Sequence, residues 1–180
     1  MTLSVLHHWF SRRNAPETVE NQPRPSEAEA EFMNGVKFAT GHGGVQDYAQ
    51  AARWYGQAAE RGHGLAQFNL AMMYGLGQGV LRDEAKSLMW MTRSAELGDA
   101  GAQYTLGVRR HLACRSGPRG MVSEGRIEAL KWVRLSAAQG YRGAEGACEF
   151  VALGMSWEEV DEGGRRAAAF VAGKQHHRSA

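Results

Sequence analysis

Apolar and small side chains recur along this chain at helical intervals, in segments separated by glycine-rich turns. Phe68, Ala71 and Tyr74 follow one another at three-residue steps, and Met91 and Ala95 stand four residues apart in the next segment. Intervals of three and four residues place side chains along one face of an α-helix. The pattern therefore predicts pairs of amphipathic helices and an all-α architecture.

The ends of these helices are marked by residues that favour helix termini. Gly75, Gly77 and Gly79 follow the first helix, and glycine adopts left-handed and tight-turn conformations at little cost. Asp83 precedes the second helix, where a carboxylate accepts hydrogen bonds from the unpaired N–H groups of the first turn. Gly98 is predicted to end that helix. Each pair of segments is therefore predicted to form a helical hairpin.

The hairpin repeats along the chain. The segment that begins at Ala66 returns at Ala102, and a weaker copy begins at Ala30, so that both offsets are 36 residues. One such hairpin cannot bury its apolar face alone, whereas a stack of several hairpins can. The sequence therefore predicts an α-solenoid of stacked antiparallel helix hairpins.

One tryptophan recurs in each unit, at Trp54, Trp90 and Trp132. The first offset is 36 residues and the second is 42, and the six extra residues fall around 114–120. We expect this insertion to form a loop, because a packed helix would not absorb it. Recurrence at core spacing predicts that the tryptophans pack inside the array and do not form an aromatic cage or a base-stacking platform.

After the third unit the chain begins a fourth and then departs from the pattern. Ala144 aligns with Ala102 at the 42-residue offset and begins another helix. A further helix opens at Ser156, which is spaced with Glu159 as a capping box, and is expected to run to about Val171. We predict that this last helix is the terminal cap that covers the final apolar face of a repeat array.

Two runs of residues carry a resemblance to a known family. They are Trp54-Tyr55 with Ala58-Ala59-Glu60-Arg61-Gly62-His63, and Tyr74 with Gly77-Gln78-Gly79-Val80. Over roughly residues 27–152 the chain resembles Sel1-like repeat proteins, relatives of the tetratricopeptide repeat. The resemblance implies about three and a half repeats and a role as an adaptor or scaffold in protein–protein interaction. Asn34 and Arg110 depart from it, since they stand where the family has leucine and tyrosine.

These observations divide the chain into three parts. Residues 27–173 are predicted to form the repeat domain with its terminal cap. Residues 1–26 hold three prolines among polar residues and are predicted to form a flexible arm. Residues 174–180 are predicted to form a disordered tail.

Composition adds few constraints. The formal net charge is +2 and the hydrophobic content is 43%, both ordinary for a globular chain. No apolar run approaches the length of about 18 residues that a membrane-spanning helix needs. The two cysteines indicate no disulfide framework, so a reducing, cytoplasmic compartment is expected.

No local signature of catalysis is present. The chain lacks Gly-x-Ser-x-Gly, Ser-x-x-Lys, His-Glu-x-x-His and the glycine-rich phosphate loops. His111 and Cys114 form His-x-x-Cys, but no second pair stands at the spacing that a structural zinc site needs. Cysteine-rich relatives of the repeat are associated with β-lactam hydrolysis, and a hydrolase of that kind is the least favoured alternative because their regular cysteine pair is missing. We therefore predict no enzymatic activity, no metal and no cofactor.

The segment 108–134 is basic. Seven basic residues there stand against two acidic ones, which gives +5 in a chain whose total is +2. Such a segment suits an acidic peptide, a phosphate group or RNA. Its loop has no interleaved aromatic residues, which disfavours RNA. RNA or phosphate binding through this segment is the alternative function.

The predicted partner is a protein segment held by the first helices of the hairpins. In a superhelix of stacked hairpins these helices line the inner face. Positions that differ between repeats are candidates for specificity, because packing does not fix them. The predicted partner-binding residues are Lys37, Asn69, Met73, Tyr104, Thr105, Arg109, His111 and Arg119. The expected ligand is a peptide or partner helix of acidic or mixed charge, and the sequence leaves the oligomeric state open.

Overall fold

A computed structural model describes residues 26–42, 44–114 and 119–178, and every regular element in these ranges is an α-helix. The helices are α1 Glu27–Thr40, α2 Tyr48–Glu60, α3 Gly64–Leu76, α4 Glu84–Leu97, α5 Ala100–Ala113, α6 Arg119–Ala138, α7 Ala144–Ala152 and α8 Trp157–Arg178. The predicted all-α class is confirmed. The predicted flexible arm lies, apart from Ser26, outside the described residues.

The first six helices form three hairpins. Within each hairpin the two helices pack extensively against each other, and each second helix also packs on the first helix of the next hairpin. This arrangement confirms the predicted α-solenoid of stacked antiparallel hairpins. Helix α7 repeats the position of a first helix and packs on α6, so the array ends in half a repeat.

Aspartate caps begin three of the described helices, and glycines in the left-handed conformation end α1, α3 and α4. The side chains of Asp47, Asp83 and Asp99 each accept a hydrogen bond from a backbone N–H in the first turn of α2, α4 and α5. Gly77 and Gly98 follow α3 and α4 with φ of 71° and 104°, a conformation that L side chains rarely adopt. The predicted N-cap at Asp83 and helix stop at Gly98 are therefore confirmed.

Small side chains let the helices approach closely, and large rings fill the space between them. Ala58, Ala71 and Ala95 are fully buried. Trp90 and Trp132 are buried as well, which confirms the packing role predicted for them, while Trp54 is half-buried. Burial of apolar surface between neighbouring hairpins is the main stabilising contribution in such an array.

The insertion in the third repeat differs from the prediction of a loop. Helix α6 already begins at Arg119 and has 20 residues, whereas α4 has 14. Residues added before the start of a helix prolong it along its axis and leave its packed part in place. The Oγ of Ser136 donates to the carbonyl oxygen of Ala100 at 2.7 Å, as the Oγ of Ser94 donates to that of Gly64 at 2.9 Å. The repeat register therefore survives the insertion.

Helix α8 caps the third repeat by packing on α6. The ring of Phe170 meets that of Trp132 edge-on with centroids 5.4 Å apart. The helix continues to Arg178, beyond the predicted end at about Val171, so residues 174–178 are helical where a disordered tail was predicted. None of the described helices is long and apolar enough to cross a membrane.

Candidate partner-binding face

The first helices of the three hairpins present equivalent positions at 36-residue spacing that are exposed or half-buried. Helices α1 and α3 contact each other, as do α5 and α7 further along the stack. Three rows result, and we call them together the first-helix face. They are Met33, Asn69 and Thr105; Val36, Met72 and Val108; and Thr40, Leu76 and Leu112.

The first-helix face is uncharged, and several of its apolar side chains are open to solvent. Leu76 is 67% exposed, and Leu112 is 50% exposed at the equivalent position one repeat later. The Asn69 side chain forms a hydrogen bond with Tyr55, whose pKa is raised by burial. Exposed apolar side chains at recurring positions, with hydrogen-bonding groups between them, are typical of a surface that binds a protein segment.

A pocket lies beside this face in the second repeat and recurs in the third. The pocket of the second repeat has a volume of about 180 Å³, and its lining residues, which include Tyr48, Asn69, Met72 and Met73, are uncharged; we call it the neutral pocket. The pocket of the third repeat, which we call the charged pocket, has a volume of about 330 Å³. It is lined by Glu84, Leu88, Arg109, Arg110, Ala113, Cys114 and Gly125. Glu84 and Arg109 stand 36 residues after Tyr48 and Met73, so the two pockets are equivalent in the fold but differ in charge.

Arg109 is held within the charged pocket. Its Nη1 donates to Ser87 Oγ at 3.1 Å, and its Nη2 forms an ion pair with Glu84. The Arg109 side chain is 30% exposed and that of Glu84 is 61% exposed. An ion pair so close to solvent is screened and contributes little to stability.

Two of the predicted contact residues prove to be buried. Met73 is 5% exposed and packs in the core, while its neighbour Met72 is 37% exposed. Met73 shares the inner side of α3 with Ala66 and Leu70 because these residues are three to four positions apart. Of the two methionines, it is Met72 that reaches the first-helix face.

His111 is also a packing residue and not a surface contact. It is 7% exposed, and its ring meets that of Phe150 on α7 at a centroid distance of 4.9 Å. Phe150 lies on the next first helix, so this contact joins the third repeat to the final half-repeat. Because α7 packs against this side of α5, the His111 side chain is buried between the two helices.

Tyr104 packs against the turn that follows its own hairpin. Its ring centroid lies 5.3 Å from that of Tyr141, and the equivalent Phe32 stacks on His63 at 4.5 Å. The recurring aromatic of the first helix therefore contacts the turn that leads to the next repeat.

The remaining predicted residues fall in different places. Lys37 is exposed on α1, and Thr105 is half-buried within the first-helix face. Arg109 lies in the charged pocket. Helix α6 begins at Arg119, whose side chain is outside what the structure describes. The structure therefore places Asn69 and Thr105 at equivalent positions of the first-helix face and Arg109 in the charged pocket.

Three of the seven basic side chains of the segment 108–134 make hydrogen bonds or ion pairs within the described part of the protein. Arg109 pairs with Glu84, Lys131 with Glu128 at 3.3 Å, and the Arg126 guanidinium donates to the Gly154 carbonyl oxygen at 3.1 Å. Glu84 offsets one positive charge of the segment, and the other two contacts occupy hydrogen-bond donors that a polyanion would otherwise use.

Metal-binding side chains do not converge in the described residues. No group of three or more histidine, cysteine, aspartate or glutamate side chains is placed there to hold a metal ion. Cys114 and Cys148 are free thiols, and burial raises the pKa of Cys148.

Sequence reasoning missed Met72, Leu76 and Leu112. A signal was present, since Leu76 and Leu112 are 36 residues apart and Met72 precedes Leu76 by one helical turn. Arg110 was counted in the basic segment and noted as a departure from the family pattern, but it was not among the predicted partner-binding residues, although the structure places it in the charged pocket.

Comparison with known proteins agrees with the repeat register. The chain matches the Sel1 repeat at residues 28–63, 64–99 and 100–141. Its structure is similar to that of a Sel1 repeat protein from Oxalobacter formigenes, with 25% identity and a TM-score of 0.59 over 79% of this chain and 54% of that one.

A second similar structure is a protective antigen present in uropathogenic Escherichia coli strains and displaying an SLR fold. The identity is 25% and the TM-score 0.49, over 80% of this chain and 38% of that one. This chain thus spans about half the length of the first relative and less than half of the second. A search of curated proteins found no match.

Proposed function

Because this chain belongs to the Sel1 repeat family, whose repeats are generally protein–protein interaction modules, we propose that it is an adaptor whose first-helix face binds a segment of a partner protein. The observation that carries the proposal is the set of exposed apolar side chains on this face: Leu76 and Leu112 are exposed at equivalent positions of successive hairpins, and Met72 is exposed one helical turn before Leu76. A segment lying across α3 and α5 would cover them, and burial of apolar surface would drive the association.

The adaptor acts without chemistry of its own in this proposal. The described residues form no metal cluster, and the two cysteines lack the regular pairing that β-lactam-hydrolysing relatives carry. Two free thiols fit a reducing compartment such as the cytoplasm. Nucleic acid is the disfavoured partner, because internal carboxylates and carbonyl groups already engage Arg109, Arg126 and Lys131.

Matched charge substitutions test the proposal. Met72 and Met89 are 37% and 41% exposed, but Met72 lies on a first helix and Met89 on a second helix. Partner proteins would be captured from a native lysate with the full chain and quantified by mass spectrometry. Met72→Arg should weaken capture of a specific partner by about tenfold or more, because an unpaired charge would be buried at the interface.

Met89→Arg is the control, since it adds the same charge at similar exposure on the opposite layer. It should leave capture of that partner unchanged. Equal capture by both variants, or loss with Met89→Arg alone, would exclude the first-helix face as the binding surface. Recovery only of nucleic acid that is lost at moderate salt would support the alternative function.

A further inference from the structure

The charged pocket holds the guanidinium of Arg110, whose buried Nε has no acceptor among the described residues. This side chain makes no hydrogen bond or ion pair among the described residues. A buried charged donor without an acceptor is costly, so a native structure seldom keeps one unless a further group completes the site.

Packing does not require arginine at this position. The equivalent residues one and two repeats earlier are Tyr74 and Phe38, both half-buried aromatics that pack against the core. An aromatic ring therefore fills this place in the first two repeats, and only the third carries a charge. The substitution changes the chemistry of the pocket while the hairpins keep their stacking.

The charges lining the pocket are unbalanced by one. Its described lining holds two guanidiniums, Arg109 and Arg110, and one carboxylate, Glu84. Glu84 is already paired with Arg109. One further monovalent anion would neutralise the site, and a carboxylate accepts the hydrogen bonds of a guanidinium in a matching planar geometry.

The rest of the lining favours a carboxylate carried on an aliphatic stem. Leu88, Ala113 and Gly125 supply apolar surface between the charged groups. A Cβ at Gly125 would clash with the Sγ of Cys114, so the absence of a side chain at Gly125 leaves room for the Cys114 thiol in the pocket wall. The charge of a doubly charged phosphate would exceed the single unbalanced positive charge of the described lining, and a phosphate group has no apolar surface to pack against the apolar lining residues.

We propose that the charged pocket of the third repeat binds the carboxylate of a glutamate side chain in the partner segment, with Arg110 as the recognising residue. The proposal rests on the proposed function, because it assigns one contact of the same partner. The pocket is lined by α5 residues on both sides of Leu112 in the sequence, Arg110 and Ala113, so a segment lying on the first-helix face can place one acidic side chain in it.

The test uses small peptides and needs no identified partner. The full chain, labelled with ¹⁵N-arginine, is titrated with N-acetyl-Gly-Glu-Gly-amide, and the side-chain Nε–Hε resonance of Arg110 is followed by NMR. We expect a saturable shift that the otherwise identical Gln peptide does not produce. A phosphoserine peptide is the third ligand, and it should bind more weakly than the Glu peptide.

Two variants make the assignment specific. Arg110→Tyr restores the residue found at position 74, and binding, followed then by the backbone amide of Arg109 with the same label, should weaken by about tenfold or more. Arg53→Gln is the control, because it removes the same charge from an exposed position on α2. It should leave binding of the Glu peptide unchanged.

Three results would overturn the proposal. They are equal shifts with the Glu and Gln peptides, undiminished binding by Arg110→Tyr, and tighter binding of the phosphoserine peptide. Failure of this test leaves the Met72 experiment intact, because the two surfaces are probed separately. Failure of the Met72 experiment with success here would retain a carboxylate pocket and exclude the first-helix face.

Discussion

At the scale of single residues, the smallest side chains set the distance between helices. A Cβ added at Gly107 would lie 2.7 Å from Val133 Cγ1 and 2.9 Å from the Ala129 carbonyl oxygen. Helices α5 and α6 therefore meet almost backbone to backbone at this point. Ala71 occupies the same position of the second repeat and is fully buried, so the third hairpin is the more closely packed one here.

We predict that Gly107→Ala destabilises the protein by about 1–3 kcal/mol, because the added methyl overpacks a contact that includes backbone. Gly146→Ala is the matched control on α7, where a Cβ would meet nothing within 4 Å. It should instead stabilise the chain by about 0.5–1 kcal/mol, since alanine is the better helix former. Urea denaturation measures both changes, and equal effects of the two substitutions would contradict the packing account.

The orientation of single side chains could not be predicted from the sequence. The 36-residue register locates Tyr104, but it does not say whether the ring turns to solvent or to a neighbour. The structure decides this through the contact with Tyr141, a residue that the insertion moves six positions along the chain relative to the other repeats. Such contacts depend on the geometry of the turn, which no local pattern encodes.

At the scale of helices, a cluster of charges holds α8 on α6. Arg166 contacts Glu124 and Glu128 on α6, and Glu162 on its own helix. The hydrogen bonds from Arg166 lower the pKa of Glu124 below its ordinary value of 4.5. A carboxylate whose pKa is lower in the folded than in the unfolded protein stabilises the fold at pH values above its pKa in the unfolded chain. This contribution is lost as the pH falls through the pKa of the carboxylate in the folded protein.

We expect Arg166→Met to shift the titration midpoint of the Glu124 carboxylate from below 4.5 back towards 4.5, as followed by ¹³C NMR. The difference in unfolding free energy between wild type and variant should have its full size above the ordinary Glu pKa of 4.5, and it should shrink as the pH falls through the lowered pKa of Glu124. Arg165→Met is the control, because Arg165 pairs only with Asp161 and Glu162 on its own helix among the described residues. An unchanged midpoint in Arg166→Met would rule out this contact as the cause.

Helix ends were predictable where one residue decides them. Asp83 and Gly98 act locally, and each stands where the structure starts or stops α4. The start of α6 and the end of α8 were predicted wrongly, because both depend on packing. Helix α6 begins within the insertion, and α8 packs on α6. Helix α8 is held there by the contacts of Arg166 with Glu124 and of Phe170 with Trp132.

At the scale of the whole molecule, the first-helix face exists only because hairpins stack. Each hairpin contributes one side chain to each row, and the 36-residue register aligns them. The sequence located the helices and the register, but it pointed to Met73 where the structure exposes Met72. Two adjacent residues differ by about 100° around a helix, so the choice depends on where the neighbouring hairpins lie.

Site-specific photocrosslinking in native lysate shows whether the first-helix face binds a partner protein, with p-benzoylphenylalanine in place of Leu76 or, in a separate variant, of Met89. Leu76 belongs to the first-helix face, whereas Met89 is an exposed side chain of a second helix. We predict that the Leu76 probe crosslinks one specific protein, that the Met89 probe does not, and that Met72→Arg abolishes the crosslink. Crosslinking of that protein from Met89, or a Leu76 crosslink that Met72→Arg does not diminish, would exclude the first-helix face as the partner-binding surface.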